Sequence, residues 1–158
     1  MIKVILVPNL IIRVAMRILI VFFILLLVTM GARAQSKVVA QITNFENTRG
    51  TCRACLFTSA ASFSGEGGEP FKCVQAPVTG KTVQAVFEDI PPGTYALFVL
   101  HDANNNKKMD KNFLGIPKEG YGASKNKLPF AAAPSFNENR FAVEHNTTVR
   151  LTVKLRYL

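Results

Sequence analysis

The sequence predicts an all-β domain, a single β-sandwich of about seven strands. Three observations predict it. Short stretches in which apolar and polar residues alternate recur from Val38 to the C-terminus. Clusters of Gly, Pro, Asn, Asp and Ser separate them, the punctuation of strands joined by turns. Beyond residue 34, no segment carries apolar residues at helical spacing over three turns.

The chain opens on a segment outside that domain. Lys3, Arg13 and Arg17 make a basic start, and residues 18–30 are apolar except for Thr29. Ala32-Arg33-Ala34 then sets small residues at −3 and −1 of a cleavage point after Ala34. Residues 1–34 are therefore read as a secretory signal peptide. The apolar run is shorter than the ~20 residues that cross a bilayer, which favours a cleaved leader over a permanent anchor. Starting at Met16 would set Met-Arg directly before the run, and Met16 rather than Met1 is the expected start. The expected compartment is secreted or periplasmic, with membrane contact only through the leader before cleavage.

Removing 34 of 158 residues leaves 124, the domain 35–158, enough for one core and too few for two. The leader holds four of the 19 basic residues and none of the ten acidic ones, so 15 face 10 and the mature charge is +5 rather than +9. That charge favours anionic surfaces weakly. In an exported domain it does not point to nucleic acid.

Within the domain, Val38, Ala40 and Ile42 alternate with Val39, Gln41 and Thr43 as a first strand. Residues 51–58 form a second. Residues 62–70, with Ser64-Gly65-Glu66-Gly67-Gly68, read as a flexible loop. Strands at 71–78 and 82–87 follow, then a turn over Glu88-Asp89-Ile90-Pro91-Pro92-Gly93. Residues 94–100 are nearly all apolar, which suits a central strand covered on both faces. Residues 140–143 and 147–157 close the chain. In the last, Val149, Leu151, Val153, Leu155 and Tyr157 alternate with Arg150, Thr152, Lys154 and Arg156, the pattern of a half-buried edge strand. The stretch 101–139 is too long for an idle connection, so it is ordered by something or carries function.

All three cysteines, Cys52, Cys55 and Cys73, fall after the leader, and export favours a disulfide. Cys52 and Cys55 are three apart in a strand and face opposite sides, so one of them bridges to Cys73. Cys55–Cys73 is the preferred pair, stabilising by roughly 3 kcal/mol through loop closure. The remaining thiol is read as buried. A redox Cys-x-x-Cys belongs at a helix N-terminus, and nothing helical follows.

The chemistry-bearing residues concentrate in 101–124. Asp102, Asn104, Asn106, Lys108 (through its carbonyl) and Asp110 fall at positions 1, 3, 5, 7 and 9 of a calcium loop. Lys107 takes position 6, where Gly eases the sharp turn, and Phe113 takes position 12, where a bidentate carboxylate belongs. With two carboxylates the affinity is expected to be weak, ~10⁻⁴–10⁻³ M. Glu119 supplies a third if the loop folds back. The same Asn and Asp side chains also build a tight turn bonded to its own backbone, which is the preferred reading. Calcium is the only cofactor suggested.

His101, Glu119, Tyr121 and Ser124 are the candidate ligand-binding residues. His101 with Asp102 and Glu119 has the composition of an acid–base or metal set. No second histidine lies near, His145 being in a later turn, and Ser124 lacks a Gly-x-Ser-x-Gly setting. No catalytic residue is assigned. Tyr121 and Phe136 are expected to pack the long stretch onto the sandwich. Lys107, Lys108, Lys111, Lys118, Lys125 and Lys127 form a basic cluster suited to anionic polysaccharide or lipid headgroups, or simply to a solvated sheet edge.

Ile90-Pro91-Pro92-Gly93-Thr94-Tyr95-Ala96, then His101-Asp102 with Asn104, Asn106 and Asp110, then Leu114-Gly115-Ile116-Pro117-Lys118-Glu119-Gly120-Tyr121-Gly122 with Ser124, then Pro134-Ser135-Phe136, form one long pattern. It resembles the secreted bacterial family catalogued as domain of unknown function 2141. The resemblance covers nearly the whole mature domain; Lys107 stands where the family usually has Gly, and residues 128–133 are an unusual version of their segment. It implies an exported β-sandwich, Ig-like or prealbumin-like, with no assigned activity. The expected function is an exported non-catalytic module of the cell envelope whose Asp/Asn loop is a structural turn or weak calcium site. Its expected partner is an envelope or extracellular component, an anionic glycan among the candidates. The alternative is a small-molecule or saccharide binder, or a metal-dependent hydrolase, using the 101–139 region.

Overall fold

The computed structural model describes residues 12–20, 36–129 and 132–158. The chain divides into two compact units, Met1–Arg33 and Ala34–Leu158. Within the first, residues 12–20 are helical and exposed. No helix among the described residues is long and apolar enough to cross a membrane. The expected cleavage point after Ala34 lies outside the described residues.

The second unit is a β-sandwich. Its strands are β1 (Ser36–Thr43), β2 (Thr51–Phe57), β3 (Lys72–Pro77), β4 (Thr82–Ile90), β5 (Gly93–Asp102), β6 (Tyr121–Ala123), β7 (Phe141–Val143) and β8 (Thr148–Lys154). One sheet has the order β4-β1-β8 and the other β3-β2-β5-β6, with β7 also on β5. Among the described residues, only β1 and β8 pair in parallel.

Alternation along the strands explains the two layers. Val38, Ala40 and Ile42 of β1, Phe87 of β4 and Val153 of β8 point to one core. There they meet Ala54 and Leu56 of β2 and Leu97 and Val99 of β5, all closed to solvent. Each large member contributes roughly 1.5–3 kcal/mol by leaving water. Strand β5 is covered on its other face too, as its unbroken apolar run predicts. There Ala96 and Phe98 meet Ala123, Phe136 and Phe63, with Phe57 and Leu128 at the margin. Phe63 is the hub, set edge-on to Phe57, Phe98 and Phe136 at centroid distances of 5.4, 6.2 and 6.0 Å.

Phe63 reaches that position from α1 (Ala60–Ser64), which overlaps the stretch 62–70 expected to be a flexible loop. Ser59 caps the helix by accepting from the Ser62 N–H, and Gly65 ends it at φ 79°. A second short helix, α2 (Phe136–Asn139), carries Phe136. Neither is long enough to show a period in sequence. Strand β4 also runs further than expected. Ser36 pairs with Ile90 and Val38 with Phe87, so β4 absorbs one extra residue in a bulge, with Asp89 at φ 59°. The expected turn at Glu88 is therefore part of the strand.

Cys55 and Cys73 are direct cross-strand partners on β2 and β3 and form the expected disulfide. Cys52 lies on the opposite face of β2, in the main core.

The chain after β8 leaves its own sheet. Arg156 exchanges both backbone hydrogen bonds with Tyr121 of β6, at 2.8 and 3.0 Å, which closes the sandwich along that side. Residues 147–157 are thus an edge strand whose end crosses to the second sheet. Two glycines make this approach possible. A Cβ on Gly122 would stand 2.6 Å from Val153 Cγ1, and one on Gly120 would enter the Tyr157 ring.

Burial pushes the Cys52 thiol up from 9.0 to about 12. The folded chain therefore keeps a proton that the unfolded chain loses. The contribution is complete below pH 9 and falls away towards pH 12, by up to about 1.4 kcal/mol per pH unit. Urea midpoints should decline over that window, and Cys52→Val should flatten the decline. A residual slope remains from Tyr95 and Tyr157, whose phenols are also raised by burial. Superimposable pH profiles for the two proteins would contradict this.

Candidate functional site

Strand β5 ends in His101 and Asp102, and the chain then turns through 103–110. Both Asp102 oxygens accept backbone N–H groups of that turn, Oδ1 from Asn106 at 3.0 Å and Oδ2 from Lys107 at 2.8 Å. Asn104 Oδ1 accepts the Asn106 N–H and Asn106 Oδ1 the Lys108 N–H, at 3.1 and 2.8 Å. The Nδ2 groups of Asn104 and Asn106 donate to Asp110 Oδ2 and Oδ1, at 2.7 and 3.0 Å. The loop does fold back on Glu119, whose carboxylate accepts the N–H groups of Ala103 and Asp110 at 3.0 and 3.1 Å. Asp102, Asn104, Asn106, Asp110 and Glu119 are thus brought together in one network. Lys108 joins it through its N–H. Two residues of the turn, Asn105 and Lys107, are left-handed, at φ 61° and 63°. Asn tolerates that conformation; Lys does not favour it.

His101 points the other way, into the main core side of the sheet. Its Nε2 lies 2.8 Å from the Arg49 carbonyl, which can only accept, so Nε2 carries the proton. Nδ1 then accepts from the Tyr157 hydroxyl at 2.8 Å, and that hydroxyl accepts the Glu46 N–H at 3.2 Å. Burial raises the Tyr157 phenol above its ordinary range, the Glu46 N–H opposes this, and the Glu46 carboxylate and Cys52 add to it. Phe45 stands edge-on to the imidazole at 5.1 Å. His101 therefore ties the 44–50 connection to the C-terminal segment, with both ring nitrogens engaged.

Tyr121 and Ser124 belong to the opposite face. Tyr121 stacks on Phe98 at 6.4 Å. Ser124 Oγ donates to the Asn139 carbonyl and accepts the Leu97 N–H at 3.0 Å. The four candidate ligand-binding residues are split between a loop base, a core and an outer face, rather than gathered in one cleft. Among the described residues, no cluster of three or more His, Cys, Asp or Glu is arranged to hold a metal ion.

Two organising residues escaped the sequence reading. Tyr157 looked like the last apolar position of an alternating strand. Asn139 carried no motif at all. Closed to solvent, it donates to the Lys127 and Ser135 carbonyls at 3.0 Å and accepts from the Lys125 and Lys127 N–H groups at 3.3 Å. It holds the descent from β6 to α2 in place.

Beyond Asp110 the chain forms a second tight loop. Lys111 bridges Pro117, and Asn112 Oδ1 accepts the N–H groups of Leu114 and Ile116 at 2.9 and 3.0 Å. Phe113 and Leu114 project from its tip into solvent.

The family model described as "Uncharacterized protein conserved in bacteria (DUF2141)" matches residues 40–150. No curated protein and no solved structure gives a significant match.

Two substitutions test the loop. Glu119→Gln sets an NH₂ against one of the two N–H groups that the carboxylate now satisfies, at a cost of about 1–3 kcal/mol by chemical denaturation. Unchanged stability would mean that Glu119 does not hold the loop. Lys107→Gly keeps the N–H bond to Asp102 and relieves the left-handed backbone. It should raise stability by about 0.5–1 kcal/mol after the greater freedom of glycine in the unfolded chain is deducted. A loss of stability would contradict the strain.

Proposed function

The chain belongs to this bacterial family, and we propose that it is an exported, non-catalytic β-sandwich module of the cell envelope that acts through a binding surface. One observation carries the reading. His101, Asp102, Glu119 and Ser124, the side chains with chemistry to offer, are 1, 0, 6 and 4% exposed. Their polar atoms are taken up by backbone groups and by Tyr157. A general base must reach its proton, and a nucleophile needs a base within hydrogen-bond reach and a route to substrate. Here each such group instead satisfies the end of a strand or a loop. Export is supported by the leader-like composition of residues 1–34 and by the Cys55–Cys73 disulfide, which suits an oxidising compartment. The expected partner carries negative charge, as an anionic glycan or lipid headgroup does, because Lys107, Lys108, Lys111, Lys118, Lys125 and Lys127 are all exposed.

In this reading the Asp/Asn loop is a structural turn. Weak calcium uptake is favoured by one further observation. The Asn104 and Asn106 amides bridge to both oxygens of Asp110, so their N–H groups stand where a cation would draw the same oxygens together. Turning both amides over would present oxygen instead of nitrogen, at the cost of the bonds their Oδ1 atoms accept from the Asn106 and Lys108 N–H groups. The three neighbouring lysines, Lys107, Lys108 and Lys111, keep the affinity low. With a Kd of ~10⁻⁴–10⁻³ M, about 10 mM calcium would stabilise the fold by roughly 1.4–2.7 kcal/mol. Thermal melts in calcium and in chelator should differ accordingly. Identical curves would remove calcium and leave the turn.

A further inference from the structure

Among the described residues, none from Lys111 to Pro117 belongs to either core. Phe113 is 96% exposed, Leu114 68% and Ile116 39%. They are not held out by a loose chain. The Asn112 N–H donates to the Ile116 carbonyl and the Gly115 N–H to the Asn112 carbonyl, both at 2.9 Å, and Gly115 is left-handed at φ 77°. The Asn112 side chain closes the turn from within. At the base, the Lys118 N–H donates to the Asp110 carbonyl at 2.8 Å, and Asp110 N–H is held by Glu119. A rigid turn thus presents adjoining apolar side chains at the far end of β5. Phe113 makes a convex tip rather than the lining of a groove.

Lys111 and Lys118 at the base of this loop, and Lys107 and Lys108 in the Asp/Asn turn that precedes it, are exposed. The carboxylate among them, Asp110, is engaged by Asn104 and Asn106, and those of Asp102 and Glu119 are buried beneath. Four lysines against three carboxylates leave +1 for the whole loop, and four against Asp110 alone leave +3 at its outer surface.

We propose that residues 107–118 dock the protein on an anionic phospholipid surface, with Phe113 and Leu114 entering the headgroup–acyl boundary and the four lysines meeting headgroup phosphates. The proposal rests on the envelope-module reading and names the partner of that module. A glycan matches the lysines but offers no apolar phase to Phe113. A lipid interface offers both, and it accepts a protruding side chain without a matching pocket. With so few inserted side chains, binding is weak, reversible and sensitive to salt. Sequence alone named lipid headgroups among the candidates for the lysine cluster; the tip adds exposed apolar side chains to that cluster.

The sequence contains no Trp, so Phe113→Trp installs a single reporter in the full chain without touching the core. On adding vesicles rich in phosphatidylglycerol, its emission should shift to the blue and be quenched by brominated acyl chains. Pure phosphatidylcholine vesicles should leave it unchanged. Changing the four lysines to Gln in the same protein should raise the lipid needed by more than about tenfold. Phe71→Trp, packed on Tyr95 near the start of β5, controls for adsorption through residues 1–34, and its emission should stay put. An unmoved indole at the tip while the protein sediments with the vesicles overturns the proposal. So does an equal shift in both reporters, or a shift that grows with protein concentration in the absence of lipid, which would assign the tip to a second copy of the chain. Each of these failures leaves the non-catalytic reading intact, because that reading rests on the burial of His101, Asp102, Glu119 and Ser124.

Discussion

Strand β5 is covered on both faces, and its polar groups cannot be left to water where it ends. Buried donors and acceptors without partners cost free energy comparable to the bonds they forgo. His101 and Asp102 meet that demand in opposite directions. The imidazole reaches through the main core side to the Arg49 carbonyl and Tyr157 hydroxyl. The carboxylate reaches outward to the N–H groups of the following turn. Both neighbouring segments, 44–50 and 103–110, take their shape from the end of this strand.

The long pattern from Ile90 to Phe136 reads, in three dimensions, as one packing solution. Glu119 closes the Asp/Asn turn, and Gly120 admits the Tyr157 ring. Tyr121 exchanges bonds with Arg156, Gly122 clears Val153, and Ser124 links β5 to α2 through Asn139. Each residue type answers a local need for an acceptor, for space or for an aromatic surface. The length of the pattern thus has a reason in packing alone. Polar residues at such positions hold neighbouring segments in register through internal hydrogen bonds. The tip at Phe113 is different in kind, since its side chain stands in solvent.

Much of this architecture was legible residue by residue. Val38, Ala40 and Ile42 announced β1 by their period of two, and residues 94–100 announced a strand covered on both sides. The spacing of Cys52 and Cys55 separated a core thiol from a bridging one. Strand β6 was not legible: three residues with a central glycine have no measurable period. They are a strand because Phe98 to Leu100 pair with them. The bulge at Asp89 was hidden because its residues match a turn in composition. Asn139 was hidden because its value lies in four partners brought near by the fold.

By itself, the sequence determined the β-sandwich, its principal strands, the family and the Asp/Asn turn, because alternation and turn chemistry act between residues close along the chain. Tertiary structure decided which polar side chains are consumed and which apolar ones are displayed. His101, Glu119 and Ser124 look like chemistry in a linear reading. Burial reverses that impression, because it depends on segments far apart in sequence, such as Arg49, Tyr157 and Asn139, arriving at the same strand.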